Sequence, residues 1–107
     1  MKWMEVIKVR SAGKGSPLLD ELMLSMAQSN PRGMTEAKIY RNAALNTDWS
    51  VHLHWQSDGP EQDGSTLGIR LAHALKEFGW VDHSVWIEDK NMSWNSLTSP
   101  PALPPSP

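Results

Sequence analysis

Two histidines lie two positions apart in a segment where polar and apolar residues alternate. The alternating residues are Val51, His52, Leu53, His54, Trp55 and Gln56. A period of two predicts a β-strand, with the apolar side chains on one face and both imidazoles on the other, about 7 Å apart. Imidazole is a general base near neutral pH. The spacing therefore predicts His52 and His54 as catalytic residues that remove a proton from a bound molecule.

Other strands are expected to place aromatic and titratable side chains on the same face as the imidazoles. A pocket of this kind, with aromatic walls and few polar groups, suits a small molecule. The predicted substrate-binding residues are Trp3, Glu5, Lys38, Tyr40 and Trp86, with Ile7 and Ser84 nearby. The same inventory also suits the core of a subunit interface, where tryptophan and tyrosine are enriched. The residues leave both interpretations open.

The histidine pair also raises the question of a metal site. Two imidazoles on one strand can chelate a metal ion if a third ligand converges, and Glu5 is the candidate for that ligand. No third histidine or HxxxE spacing completes a set, and the chain contains no cysteine. The sequence therefore predicts neither a metal nor another cofactor.

The elements that must position these residues follow the order strand, helix, strand, strand, helix, strand. The predicted strands are residues 3–10, 36–44, 49–56 and 83–89. The first helix follows an N-cap at Ser16 with Pro17, and the second follows an N-cap at Ser65. Each helix carries one apolar stripe. Gly79 is predicted to end the second helix in the left-handed region.

This βαββαβ order predicts an α+β, ferredoxin-like sandwich: a four-stranded antiparallel sheet with two helices on one face. The 107 residues allow one domain, assigned to residues 1–90. The sheet face away from both helices, called the open face below, has no cover within the chain. A second copy is the simplest cover, and the six tryptophans suit such a contact. The sequence thus predicts a homodimer through the open face.

Residues 91–107 form a separate, proline-rich C-terminal tail with low charge. This composition favours extended polyproline II structure. The tail is expected to pack against the partner subunit, with Trp94 and Leu97 as apolar anchors.

Charge and hydropathy exclude several function classes. The net charge is −2 with both signs mixed along the chain. Because the sequence has no cluster of basic residues, binding to nucleic acid or to an anionic membrane is not expected. The third strand lacks the glycine and basic residue of an RNA-recognition domain. No transmembrane stretch or signal peptide is read from the sequence, so a cytoplasmic location is expected.

The chain resembles the dimeric α/β-barrel superfamily, and within it the antibiotic biosynthesis monooxygenase-like domains. The resemblance covers residues 3–89: a first strand that leads through a glycine-containing turn into a leucine-rich helix, and a third strand that ends in Trp55, Gln56 and Ser57. It implies two sheets closing face to face around a cavity for an aromatic substrate, with cofactor-independent oxygenation as one activity of the family. Other members have no known activity.

The haem-degrading members of that superfamily fit less well. They resemble one another in an asparagine on the first strand, which residues 3–10 lack. They also have a tryptophan and a histidine after the third strand, where this chain has His73 without the tryptophan. The expected function is therefore a cofactor-independent monooxygenase acting on a small aromatic molecule. The alternative is a non-enzymatic ligand-binding or assembly domain.

Overall fold

The computed structural model describes residues 1–11, 21–22, 24–25, 28–29, 31–60 and 63–89. Its strands are β1 (Lys2–Ser11), β2 (Met34–Arg41), β3 (Asp48–Gln56) and β4 (Gly79–Ile87). One helix, α1 (Thr66–Leu75), and a short 3₁₀ turn (Lys76–Phe78) connect β3 to β4.

The four strands form one antiparallel sheet in the order β2-β3-β1-β4. In the register, Val6 of β1 lies opposite His52 of β3 and opposite Ser84 of β4. Residues directly opposite each other in an antiparallel pair project to the same face. The register therefore assigns every strand residue to the open face or to the face that carries α1, called the helix face.

The hydrophobic core lies between the helix face and α1. It joins alternate residues of β1 and β3 to one stripe of the helix: Trp3, Ile7, Val9, Trp49, Val51, Leu53, Trp55, Leu71, Ala72 and Leu75. The prediction that Val51, Leu53 and Trp55 face the helical layer, and that His52 and His54 do not, is confirmed. The ferredoxin-like α+β fold is confirmed with it.

Helix α1 begins where the sequence predicts. Ser65 has an extended backbone, and its hydroxyl oxygen accepts a hydrogen bond from the Gly68 amide at 2.8 Å. That contact satisfies one of the amides that the first turn leaves without a helical partner. Ser65 also contacts β1, because its amide and hydroxyl donate hydrogen bonds to the Glu5 carboxylate.

Two strand boundaries differ from the prediction by three residues or more. Strand β2 ends at Arg41 rather than residue 44, because the Asn42 side chain accepts hydrogen bonds from the amides of Ala44 and Leu45. This closes a local turn that competes with the strand ladder.

At the other boundary, β4 begins at Gly79 rather than residue 83. Gly79 has φ 157° and ψ −152°, a positive-φ conformation that favours glycine but is not the predicted left-handed helical one. It pairs with Ser11, and a side chain at Gly79 would meet the backbone of Arg10. The strand therefore starts directly after the 3₁₀ turn.

Parts of the prediction fall outside the described residues. Residues 21, 22, 24, 25, 28 and 29 are helical, within the first predicted helix, and Leu22 packs against the core. The proposed N-cap at Ser16 and the tail 91–107 lie outside the described residues. Within the described part of the chain, no helix is long and apolar enough to cross a membrane.

Candidate functional site

The open face is ordered into rows that run across the strands. The strand register aligns three of these rows: Asp82–Lys8–Ser50–Tyr40, then Ser84–Val6–His52–Lys38, then Trp86–Met4–His54–Glu36. Successive rows lie about 7 Å apart along the strands. Five of the seven predicted site residues therefore share this face: His52, His54, Lys38, Tyr40 and Trp86.

His52 lies near the centre of this face and has two close neighbours. Its ring centroid is 4.5 Å from that of Tyr40, with the planes inclined by 54°. Its Nε2 atom is 3.0 Å from the Ser50 hydroxyl oxygen, within hydrogen-bond distance. Its own strand β3 thus orients the imidazole through the Ser50 hydroxyl, and the neighbouring strand β2 does so through the Tyr40 ring.

The surroundings of His52 favour its neutral form. Partial burial lowers the pKa of His52 below its ordinary value of 6.5, and the nearby His54 and Lys8 lower it further. Burial acts in this direction because it disfavours the charged imidazolium. At neutral pH the side chain is therefore an unprotonated base rather than a cation.

His54 lies one row away, at the edge of a cleft of about 450 Å³ at one end of the sheet. Trp3, Trp55, Trp86 and Glu36 also line this cleft. The Trp86 indole donates to the Ser84 hydroxyl at 2.8 Å and remains 58% exposed. The cleft thus has aromatic walls, and His54 supplies one of its polar groups.

Lys38 lies beside His52 in the register but is engaged elsewhere. Its ammonium is 3.2 Å from a Glu36 carboxylate oxygen. The hydrogen bond to Glu36, and then the charge of that carboxylate, raise the pKa of Lys38. The predicted role of Lys38 in substrate binding therefore competes with this surface ion pair.

The predicted placement of β1 is wrong. Trp3, Glu5 and Ile7 lie opposite Trp55, Leu53 and Val51, so they project to the helix face and not to the open face. The open-face residues of β1 are instead Met4, Val6 and Lys8. The error arises because Val6 is apolar and buried although it lies on the open face. Polar and apolar residues of β1 therefore do not alternate regularly around Glu5.

Glu5 is fully buried on the helix face, and donors from three parts of the chain surround its carboxylate. One oxygen accepts from the Ser65 amide at 2.8 Å and is 3.0 Å from His83 Nε2. The other accepts from the Trp55 indole at 2.8 Å and from the Ser65 hydroxyl at 2.6 Å. An ionised carboxylate, which only accepts hydrogen bonds, suits this set of donors.

This network was not found from the sequence, although the sequence contains a signal for it. The order Ile7, Lys8, Val9, Arg10 already assigns Ile7 and Val9 to the core face. Counting back by twos then assigns Glu5 to that face. The buried polar group requires donors, but its partners His83 and Ser65 are distant in sequence and not recognisable as a motif.

The register also removes Glu5 as a third ligand for the His52 and His54 pair, because Glu5 lies on the opposite face. Trp3 likewise faces the core, stacked on Trp55 with ring centroids 5.2 Å apart. Among the described residues, no group of three or more His, Asp or Glu side chains is placed to hold a metal ion.

Comparisons with known proteins bear on the fold. No family model matches the chain, and no curated protein matches it by sequence. A solved structure with the same fold is that of a variant of SnoaB, described as a cofactor-independent oxygenase from Streptomyces nogalater. The match has a TM-score of 0.58 at 12% identity, and it covers 85% of this chain and 96% of SnoaB. At this identity the likeness establishes the fold alone.

Proposed function

We propose that this protein is a homodimeric α/β-barrel protein that binds a small aromatic molecule on its open face and oxygenates it without a cofactor. The observation that carries the proposal is the neutral His52 imidazole, held between Tyr40 and Ser50 on that face. The structural neighbour SnoaB, described as a cofactor-independent oxygenase, supports the same reaction class.

His52 acts as the general base. With Nε2–H donating to the Ser50 hydroxyl, the free lone pair of Nδ1 accepts the proton of a phenol or enol. The resulting anion is electron-rich and transfers one electron to molecular oxygen. Recombination of the radical pair then forms a carbon–oxygen bond, and the His52 imidazolium returns its proton to the peroxide oxygen, which gives a hydroperoxide and regenerates the base.

The oxygen–oxygen bond next breaks as the ring carbon loses its hydrogen. One oxygen atom stays as a carbonyl, and the other leaves as water with the two hydrogens that the substrate has lost. The net reaction converts a phenol and O₂ to a quinone and water. The substrate supplies all four electrons, so no external reductant is consumed.

The open face is also the proposed dimer contact. Trp86 and Tyr40 on this face are 58% and 46% exposed, and a second sheet packed against it would enclose the space above His52. Exclusion of water there would strengthen the interactions of the substrate anion with nearby dipoles.

Replacing the base tests the mechanism. His52→Gln keeps much of the side-chain size and polarity but removes the base, and turnover of a panel of phenols should fall roughly 10²- to 10⁴-fold. His73→Gln is the matched control, since His73 is exposed on α1, on the other side of the sheet. Oxygen consumption measures the rate, and ¹⁸O₂ should label one atom of the quinone and one of the water.

His54→Gln extends the test, because His54 lines the neighbouring cleft rather than contacting Tyr40. Unchanged turnover in both the His52 and His54 variants would reject the histidine mechanism.

A non-enzymatic assembly or ligand-binding role is the second candidate, and the exposed indoles of Trp80 and Trp86 on the same face favour it. If these indoles fill the space between two sheets, a dimer forms but no phenol binds. Dimerisation without binding or turnover of any phenol would support this role over the enzyme.

A further inference from the structure

Lys8 lies in the middle of the open face. It is on the central strand β1, directly between Asp82 of β4 and Ser50 of β3, and Tyr40 of β2 completes the row. Ser50 is the residue whose hydroxyl contacts His52. Lys8 is therefore one row away from the proposed base and shares a neighbour with it.

Two other cations of this face have carboxylate partners, whereas Lys8 does not. Arg10 pairs with Asp48 at 3.7 Å, and Lys38 pairs with Glu36 at 3.2 Å. Within the described part of the chain, the exposed Lys8 ammonium forms no ion pair, and Asp82 is a cross-strand neighbour without being an ion-pair partner. Its positive charge is thus open to a ligand.

Two depressions of the surface meet at Lys8. One, of about 490 Å³, is bounded by Trp80, and the other, of about 290 Å³, is bounded by Tyr40 and Ser50. Lys8 lines both. An aromatic ring lying in either depression would contact an indole or a phenol and place its substituent within reach of the ammonium.

The charge of Lys8 already acts on His52, since it contributes to the lowered pKa of that imidazole. An anion held by Lys8 would therefore lie within the electrostatic environment of the proposed base. A phenolate formed by proton transfer to His52 would be stabilised by the same ammonium.

We infer that Lys8 is the anion-binding residue of the open face, and that this face takes an aromatic ligand bearing a carboxylate or phenolate oxygen. The reaction of this ligand rests on the proposed function. Its binding is inferred only from Lys8 and the residues in the same row of the open face. Ser50 supplies a second polar contact, and Tyr40 or Trp80 supplies the aromatic wall.

Binding of two naphthalene probes tests the inference. The probes are 2-naphthoate and its neutral isostere 2-naphthamide, titrated into the full chain and followed by NMR of the His52 imidazole. The naphthoate should bind about tenfold more tightly, the contribution of one charge-assisted hydrogen bond. Lys8→Met should abolish this preference, and Lys8→Arg should retain most of it.

Lys76→Met is the matched control, because Lys76 is an exposed lysine in the 3₁₀ turn after α1. This variant should keep the preference for naphthoate. Thermal unfolding should show that both methionine variants are folded. Loss of the preference in Lys8→Met alone supports the assignment.

Three results would overturn the assignment: equal affinity for both probes in the unmodified protein, an unchanged preference in Lys8→Met, or binding of neither probe at millimolar concentration. The outcome is separable from that of the oxygenase test. Lys8-dependent naphthoate binding without any turnover would reject the oxygenase alone. Turnover that is insensitive to Lys8→Met would reject the role of Lys8 alone.

Discussion

The carboxylate of Glu5 accepts a hydrogen bond at 2.8 Å from the indole of Trp55, across the two central strands of the sheet. Both side chains are buried on the helix face. Because the same carboxylate also accepts from Ser65, one ionisable group joins β1, β3 and the start of α1.

Glu5→Gln should lower the free energy of unfolding by about 1–3 kcal/mol. The substitution replaces an acceptor oxygen by an amide NH₂, which leaves buried donors facing a donor. Urea unfolding measures the loss. Glu36→Gln is the control, since Glu36 is exposed and contacts Lys38 in a surface ion pair, and it should cost less than about 1 kcal/mol. Equal losses in the two variants would contradict the structural role of Glu5.

Gly68→Ala should destabilise the protein, although alanine is ordinarily favoured over glycine in a helix by about 1 kcal/mol. A methyl group at Gly68 would overlap the Glu5 carboxylate, and overpacking of this kind costs about 1–3 kcal/mol. Thermal unfolding in the unmodified and Glu5→Ala backgrounds separates the two effects. The cost should shrink or reverse once the carboxylate is absent, and an equal cost in both backgrounds would show that the contact is irrelevant.

His52 should titrate below its ordinary value of 6.5, because partial burial, His54 and Lys8 all lower its pKa. NMR of the imidazole measures the midpoint directly. If the proposed oxygenase reaction uses His52 as its base, kcat/KM should rise with pH through this lowered value and then level off, since the base acts in its neutral form. A midpoint above 6.5 would contradict the environment described for His52.

The same shift has a consequence for stability. As pH falls, the unfolded chain takes up a proton at His52 before the folded chain does. Stability is therefore fully present above about pH 6.5 and is lost as pH falls through the folded-state pKa. The decrease in unfolding free energy from about pH 7.5 to about pH 5 should be smaller in His52→Gln, whereas His73→Gln should not change this contribution from His52.

Trp86→Glu should weaken self-association if the open face is the dimer contact, because burying an unpaired carboxylate is costly. Analytical ultracentrifugation at micromolar concentration measures the shift from dimer to monomer. Ile69→Glu, at an exposed position on α1, should leave the association unchanged. A stable monomer of the unmodified chain would reject the proposed barrel.

Much of the fold is predictable because β3 alternates without interruption. Val51, Leu53 and Trp55 therefore assign His52 and His54 to the opposite face correctly. The faces of β1 are harder to predict from the sequence. The charged Glu5 lies on the helix face and the apolar Val6 lies on the open face, which is the reverse of the usual pattern. The central position of β1 contributes to this reversal, because β3 and β4 lie along its two edges and Val6 is buried between His52 and Ser84 on the open face.

The candidate site was predictable in part for the same reason. Tyr40 and Trp86 follow from simple strand alternation, whereas Lys8 does not, because the sequence pattern predicts the wrong face for β1. The contacts that determine the chemistry, such as Ser50 to His52 and Lys38 to Glu36, depend on side-chain rotamers and on register. Periodicity does not specify either of these.

The buried carboxylate also selects the correct pairing of the strands during folding. If β1 slipped by one residue against β3, Glu5 would leave its donors and Lys8 would enter the apolar core. The charges of Glu5 and Lys8 would therefore oppose a slip of one residue. The tryptophans and β-branched residues of the sheet would by themselves tolerate more than one register. Glu5 thus favours the native register of β1 against β3.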